Sequence, residues 1–146
     1  MLGRRVLGER EIVLPNDPAV DLEASNLDAY RDSFFDIQHL KIRDGATPTR
    51  WKICPLTVRQ RRRLADEDTY ARRELIVRCG LVWITDYALQ DESGNAMSIQ
   101  QPDRQERTGL GVAASEQWLE SMHLHQDDLL LLSLGILAIS EARPLS

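Results

Sequence analysis

The chain has 146 residues, of which 42% are hydrophobic and 28% charged, with a formal net charge of −5 and an isoelectric point of about 5.2. These values exclude a disordered chain and predict a single globular domain over residues 1–146, long enough to bury a core without disulfides. A negative net charge disfavours binding to nucleic acid unless the basic groups gather on one face. The two cysteines, Cys54 and Cys79, are too few for a disulfide framework and are predicted to be small buried residues in a reducing compartment.

No stretch of the sequence predicts a membrane segment or a signal peptide. Residues 1–11 carry charges without an apolar run behind them. The most apolar stretch, residues 129–139, falls short of the roughly 20 residues that span a bilayer. The sequence therefore predicts a cytoplasmic protein with no membrane partner.

The first third of the chain predicts strands and one acidic arm. Residues 9–15 favour a short strand, and residues 15–33 combine turn formers with five acidic residues, a composition typical of an arm or loop that orders against a partner. Residues 34–43 and 50–56 alternate in hydrophobicity around a turn that contains Asp44-Gly45. Residues 34–56 are therefore predicted to form an antiparallel β-hairpin, which Pro55 ends.

An arginine-rich helix follows the predicted hairpin. Thr57 is the predicted N-cap, and the helix bears Arg59, Arg61, Arg62 and Arg63, followed by Asp66, Glu67 and Asp68. Acids three and four residues after arginines partly neutralise them, by roughly 0.2–0.5 kcal/mol a pair. The pattern favours a solvated face first and a docking face for an acidic protein partner second. Nucleic-acid binding comes last, because interleaved aromatic residues and an unopposed basic face are both missing.

The remaining sequence predicts mainly helices. The helix that begins after Thr57 should continue through residues 68–79 and end at Gly80. Residues 81–89 fit either a strand or more helix, and residues 99–111 read as a loop. Ser115 is a predicted cap, and Asp127 and Asp128 open a last helix over residues 127–139. That helix is apolar nearly all round, so one side should pack on the core and the other on a second subunit or a partner, through Leu131 and Leu132.

The predicted fold class is α+β, with an N-terminal strand and acidic arm (1–33), a β-hairpin (34–56) and a mainly helical remainder (57–146). The predicted core residues are the apolar positions that face inward in these elements. They are Phe35, Ile37, Trp51, Ile53, Leu75, Ile76, Trp118, Leu119, Leu130, Leu134 and Leu137.

No catalytic motif is evident, and no catalytic residue, cofactor or metal is predicted. The sequence has neither a glycine-rich phosphate loop nor a Gly-x-Ser-x-Gly elbow. His123 and His125, with Asp127 and Asp128 close by, could supply ligands for zinc or iron. Polar residues are nevertheless expected in a short connection between helices, so a small metal-dependent enzyme that uses His123 and His125 is an alternative only.

Three features together resemble the tail assembly chaperones of tailed bacteriophages. They are a strand that ends in Pro55-Leu56-Thr57, the arginine-rich helix with Arg59–Arg63, and a final helix in which acids precede a leucine-rich run, and they extend over about two-thirds of the chain. The resemblance implies a non-enzymatic protein that binds a tail-tube or tape-measure protein in the host cytoplasm during virion assembly. The alternative in a neighbouring class is a structural virion subunit of the tail, baseplate or capsid.

Overall fold

The computed structural model describes residues 8–87, 93, 95 and 99–141, and its fold is α+β, as predicted. Four of the seven strands in the described residues precede residue 58, and the two longest helices follow it. In chain order the elements are β1 (Arg10–Ile12), β2 (Val20–Asp21), α1 (Leu27–Asp32), a 3₁₀ turn (Ile37–His39), β3 (Lys41–Ile42), β4 (Arg50–Ile53), α2 (Val58–Leu64), α3 (Thr69–Gly80), β5 (Leu81–Thr85), β6 (Gln105–Arg107), β7 (Gly111–Ala113), α4 (Glu116–Met122) and α5 (Gln126–Glu141).

The main sheet is antiparallel and has the order β1-β4-β5. Ile12, Trp51 and Ile84 are aligned across the three strands and are all buried. Their neighbours along the strands, Lys52 and Trp83, point to the opposite, exposed face, as strand geometry requires. One face of the sheet therefore packs against the hydrophobic core, and the other face is exposed to solvent.

The predicted hairpin over residues 34–56 is wrong. β4 does pair, but with the distant strands β1 and β5, whereas β3 pairs with β2 through Val20 and Ile42. Phe34 and Phe35 have φ angles of 58° and 65°, a left-handed conformation that interrupts a strand. The turn places the Phe35 ring in the core, 4.8 Å from the ring of Tyr30.

The acidic segment of residues 15–33 is ordered against the chain's own core, which corrects the prediction of an arm. It contains β2 and α1, and Asn26 caps α1 by accepting a hydrogen bond from the N–H of Ala29. The carboxylate of Asp17 is buried and accepts hydrogen bonds from the N–H groups of Ala19 (2.8 Å) and Thr49 (2.9 Å). At least one acidic residue of the segment, Asp17, therefore stabilises a turn rather than only contacting solvent.

The predicted cap at Thr57 is confirmed, and it forms a full capping box. Its hydroxyl accepts from the N–H of Gln60 at 3.2 Å, while the Gln60 side chain accepts from the N–H of Thr57 at 2.9 Å. The prediction of one continuous helix over residues 57–79 is wrong, because the first helix stops at Leu64 and Asp68 caps a second helix, α3, by accepting from the N–H of Ala71. The predicted end of the helical stretch at Gly80 is confirmed. Residues 81–85 of the ambiguous stretch form β5, while residues 88–89 of it lie outside the described residues, as do 1–7 and 142–146.

The stretch 99–111, predicted as a loop, contributes to a small hairpin. β6 pairs with β7, and Gly109 and Gly111 both have φ angles of 77°, which a residue with a side chain rarely adopts. The predicted cap at Ser115 is confirmed, since its hydroxyl accepts from the N–H of Trp118 at 3.0 Å. α5 packs against α3 and closes the core over the sheet.

Most of the predicted core is confirmed, but the orientation of the last helix was predicted wrongly. The confirmed residues are Phe35, Trp51, Ile53, Leu75, Ile76, Trp118 and Leu119. Ile37, Leu130 and Leu137 are half-buried, and Leu134 is 46% exposed. The inward face of α5 is formed instead by Leu132, Ile136 and Ile139. Cys79 is buried as predicted, whereas Cys54 is half-buried.

Candidate partner-binding surface

The orientation of α2 is fixed by Gln60 and Leu64, which are both buried. The Gln60 side-chain amide donates hydrogen bonds to the carbonyls of Leu110 (3.0 Å) and Val112 (3.1 Å), so the helix is anchored to the β6–β7 hairpin. The four arginines are consequently exposed: Arg59, Arg61, Arg62 and Arg63. Val58, at the start of the same helix, is 64% exposed.

The predicted neutralisation of the arginines by following acids holds for Arg63. Its guanidinium lies 3.8 Å from the carboxylate of Asp66 and 3.2 Å from that of Glu67. Within the part of the chain that the structure describes, neither Arg59 nor Arg62 forms an ion pair. The helix therefore presents positive charge that its own acids do not balance.

The outer side of α5 carries an apolar stripe. Leu134 is its most exposed member, and the half-buried residues at helical spacing around it are Leu130, Leu131, Leu137 and Ala138. Leu132 has no exposed surface, so it cannot contact a partner in this fold, and its place among the predicted binding residues is a correction. The phase of the helix accounts for this, since Leu132 lies on the side that faces the core.

The arginine helix α2 contacts the C-terminal end of α5. The Arg61 guanidinium lies 3.5 Å from the backbone carbonyl of Ser140, and the Ser140 hydroxyl accepts from the N–H of Leu56 at 2.8 Å. We call this region the α2–α5 surface and define it by Val58, Arg61, Arg62, Leu131, Leu134 and Leu137. Arginine beside exposed apolar side chains is typical of protein–protein interfaces.

The two histidines of the alternative metal site serve the connection between α4 and α5. His123 has a left-handed backbone with φ of 47° and ends α4. The Nδ1 atom of His125 accepts a hydrogen bond from the N–H of Asp127 at 3.1 Å, which satisfies one of the free N–H groups at the start of α5. Among the described residues, no group of three or more His, Cys, Asp or Glu side chains is arranged to hold a metal ion.

A cleft of about 390 Å³ lies beside the start of α2, and no local sequence pattern predicts it. Its walls are the end of β4, the start of α2, the end of α3 and the β6–β7 hairpin, with Arg59, Arg104 and Glu106 among the lining side chains. Arg104 stands in a polar stretch without periodicity, and only the tertiary fold brings it to this place.

Both cysteines line this cleft, and both thiols are held in their neutral form. The thiol of Cys54 lies 3.7 Å from the carbonyl oxygen of Cys79 and 3.6 Å from Nη2 of Arg104. Burial raises the pKa of Cys54, although Arg104 opposes the rise, and burial raises the pKa of Cys79 to about 11. Neutral thiols are poor nucleophiles, so the cleft has no activated cysteine at neutral pH.

Within the described residues, no helix combines the length and apolar character needed to cross a bilayer. Comparison with protein-family models, with curated proteins and with solved structures finds no match to this chain.

Proposed function

We propose that the chain is a non-enzymatic assembly protein that binds a tail or virion structural protein of a tailed bacteriophage through the α2–α5 surface. The proposal combines the family resemblance of the sequence with one structural observation, the contact of Arg61 with Ser140. That contact links the arginine helix to the C-terminal end of the leucine-rich helix, and these are two of the three features that carry the resemblance.

The chemistry of the surface favours a protein partner. Exposed Val58 and Leu134 offer apolar contact area, and the adjoining arginines offer donors for carboxylates. A duplex would instead require an unbroken basic face, and the net charge of −5 repels phosphate at a distance. The proposed partner is therefore a structural protein that presents an apolar patch flanked by acidic residues, and the proposed location of binding is the host cytoplasm.

A structural subunit of the virion would use the same surface. The two roles are therefore distinguished by whether the chain is present in finished particles or only in unassembled intermediates. The test is quantitative mass spectrometry of purified particles and of unassembled intermediates from the same culture. An assembly protein is expected in complexes with a virion protein before assembly and absent from finished particles. A fixed number of copies in each finished particle would establish a structural subunit, and absence from both fractions would contradict the proposal.

A further inference from the structure

The cleft beside α2 has the size and the charge of a binding site for a small anionic group. Its volume of about 390 Å³ falls in the range of ligand pockets. Three separate parts of the chain form it: the junction of β4 and α2, the end of α3 and the β6–β7 hairpin with the residue before it. The Gln60 side chain, bonded to the carbonyls of Leu110 and Val112, holds two of these walls together.

The guanidinium of Arg104 supplies a fixed positive charge to the lining of the cleft. Nη1 of Arg104 donates to the carbonyls of Cys79 (2.8 Å) and Leu81 (3.1 Å), and Nη2 contacts the Cys54 thiol. These partners are all uncharged, and no ion pair involving Arg104 occurs within residues 8–87 and 99–141. A half-buried guanidinium that donates to these neutral groups projects a positive potential into the space beside it.

A second guanidinium and one carboxylate complete the lining. Arg59 is exposed at the mouth of the cleft and is likewise without an ion pair among the described residues, while Glu106 lines the opposite wall without an ion pair to either arginine. Within the lining, these two guanidinium groups and one carboxylate leave one positive charge. The carboxylate of Glu9 also acts on the Cys54 thiol, but it lies outside the lining and is paired with Lys52 at 3.2 Å. That balance matches a single carboxylate better than a phosphate dianion.

We propose that this cleft is a carboxylate-binding subsite, in which the exposed Arg59 side chain contacts the ligand and Arg104 supplies a fixed charge beside it. Arginine holds carboxylates through paired N–H donors, and no carboxylate of the described residues forms an ion pair with Arg59. The ligand is a carboxylate, carried either by a small molecule or by a glutamate or aspartate of a protein. The subsite is argued from the cleft alone and does not depend on a role in virion assembly.

Cys54 provides a reporter inside the cleft. Iodoacetate, an anion, and iodoacetamide, which is neutral, alkylate the same thiolate, so the ratio of their rates cancels the thiolate fraction and measures the local potential. Peptide mapping assigns the product to Cys54 rather than to the buried Cys79. We expect the ratio to be roughly three- to tenfold higher in the folded protein than in the chain unfolded in urea, since one net positive charge attracts the anionic reagent. Equal ratios in both states would overturn the proposal.

Three matched substitutions separate the cleft from the general charge of the protein. Arg59→Gln is expected to lower the folded-state ratio, and Glu106→Gln to raise it. Arg62→Gln removes the same charge one helical turn away, outside the cleft lining, and is expected to lower the ratio much less than Arg59→Gln does. If Arg62→Gln lowered the ratio as much as Arg59→Gln, or if Glu106→Gln had no effect, the proposal would fail. Circular dichroism confirms that each variant is folded.

Competition identifies the ligand class. At constant ionic strength, sodium acetate and the end-blocked peptide Gly-Glu-Gly are the two carboxylate probes, with Gly-Gln-Gly and sodium phosphate as comparisons. Slower iodoacetate alkylation of Cys54 and shifts of the Gly111 and Val112 amide signals are expected with a carboxylate probe. Protection by acetate alone indicates a small-molecule ligand, and stronger protection by the glutamate peptide indicates a protein side chain. No protection by either carboxylate, or stronger protection by phosphate, would overturn the proposal.

Discussion

The side chain of Gln101 occupies the position of a neighbouring strand beside Ile84. Its Nε2 donates to the Ile84 carbonyl at 2.7 Å, and its Oε1 accepts from the Ile84 N–H at 2.8 Å. β5 is an edge strand of the main sheet, and open strand edges are templates for pairing with another chain. One side-chain amide thus closes part of an edge that would otherwise be free to associate.

Replacing Gln101 with alanine should open this edge. The loss of two hydrogen bonds is expected to lower the free energy of unfolding by about 1–3 kcal/mol and to speed hydrogen exchange at the Ile84 amide. The variant should also self-associate in sedimentation velocity more than the parent. Gln100→Ala is the matched control, because the Gln100 side chain is exposed and the contact of that residue with Trp118 uses its backbone carbonyl. Unchanged exchange at Ile84 in Gln101→Ala would refute this role.

A side chain at position 80 is predicted to destabilise the fold because it would collide with Ile136. A Cβ atom at position 80 would overlap the Ile136 side chain, with Cδ1 at 2.7 Å and Cγ1 at 2.8 Å, and Ile136 is fully buried. Gly80→Ala should therefore lower the free energy of unfolding by about 1–3 kcal/mol, despite the better helix propensity of alanine. Chemical denaturation measures the change. In an Ile136→Ala background the same substitution should cost much less, and an equal cost in both backgrounds would rule out the clash.

Asp103 should make stability depend on pH in the acidic range. Partial burial acts to raise its pKa, but hydrogen bonds from the Ser115 hydroxyl (2.6 Å) and N–H (2.7 Å), with Arg107 nearby, hold the pKa below its ordinary value. A carboxylate whose folded pKa is depressed stabilises the fold above its unfolded pKa, and this contribution is lost as the pH falls through the folded pKa.

Asp103→Asn should accordingly be less stable than the parent at pH 7, and the difference should shrink as the pH falls below about 4. Thermal unfolding from pH 2.5 to pH 7 measures both curves. A constant difference across that range would show that the charge of Asp103 is not the cause.

Local signals in the sequence predict the starts of α2 and α4, because caps act within a few residues, but they miss α1 and the break between α2 and α3. Thr57 and Ser115 carry the hydroxyls that begin α2 and α4, and both helices start where those residues predict. The strand at residues 50–53 was also found, but its partners were not. β1 and β5 lie about 40 and 30 residues away along the chain, and the nearer Asp44-Gly45 turn pointed to the wrong neighbour.

The candidate surface was predictable only in part, for a related reason. Exposed arginines on α2 followed from the pattern of charges, and Arg61 lies where the prediction requires. The leucine run of α5 is apolar on nearly every side, so its sequence does not reveal which leucines face the core; Leu132 does and Leu134 does not. The cleft with Arg104 combines distant segments, and nothing local marks it.

The arginine face is expected to tolerate reversal of its charge. Replacing Arg61, Arg62 and Arg63 with glutamate should leave the circular dichroism spectrum unchanged, because all three side chains are exposed. Binding to random duplex DNA should be undetectable before and after the change, whereas partner binding should weaken. Tight, salt-sensitive DNA binding by the parent protein would contradict a protein-docking role, since phosphate contacts impose a steep dependence on salt.

The exposed leucine of α5 should matter for association and not for folding. Leu134→Asp places a charge on the apolar stripe, where the side chain is already 46% exposed, and should leave the free energy of unfolding within about 1 kcal/mol of the parent. Leu132→Asp is the contrasting variant, because it buries a charge in the core and should prevent folding. If the two variants had similar stability, the orientation of α5 would be wrong.

The central claim is that the α2–α5 surface binds a virion structural protein, and the most direct measurement is copurification. Three chains are each co-expressed with the structural proteins encoded beside this chain in its source genome. They are the parent, the double variant Arg61→Glu/Leu134→Asp and the control Arg31→Glu/Leu22→Asp. The control changes an exposed arginine and an exposed leucine elsewhere on the protein. The account predicts that one structural protein copurifies with the parent and the control, and that the double variant loses it by at least tenfold. Equal recovery with all three chains, or none with the parent, would contradict the account.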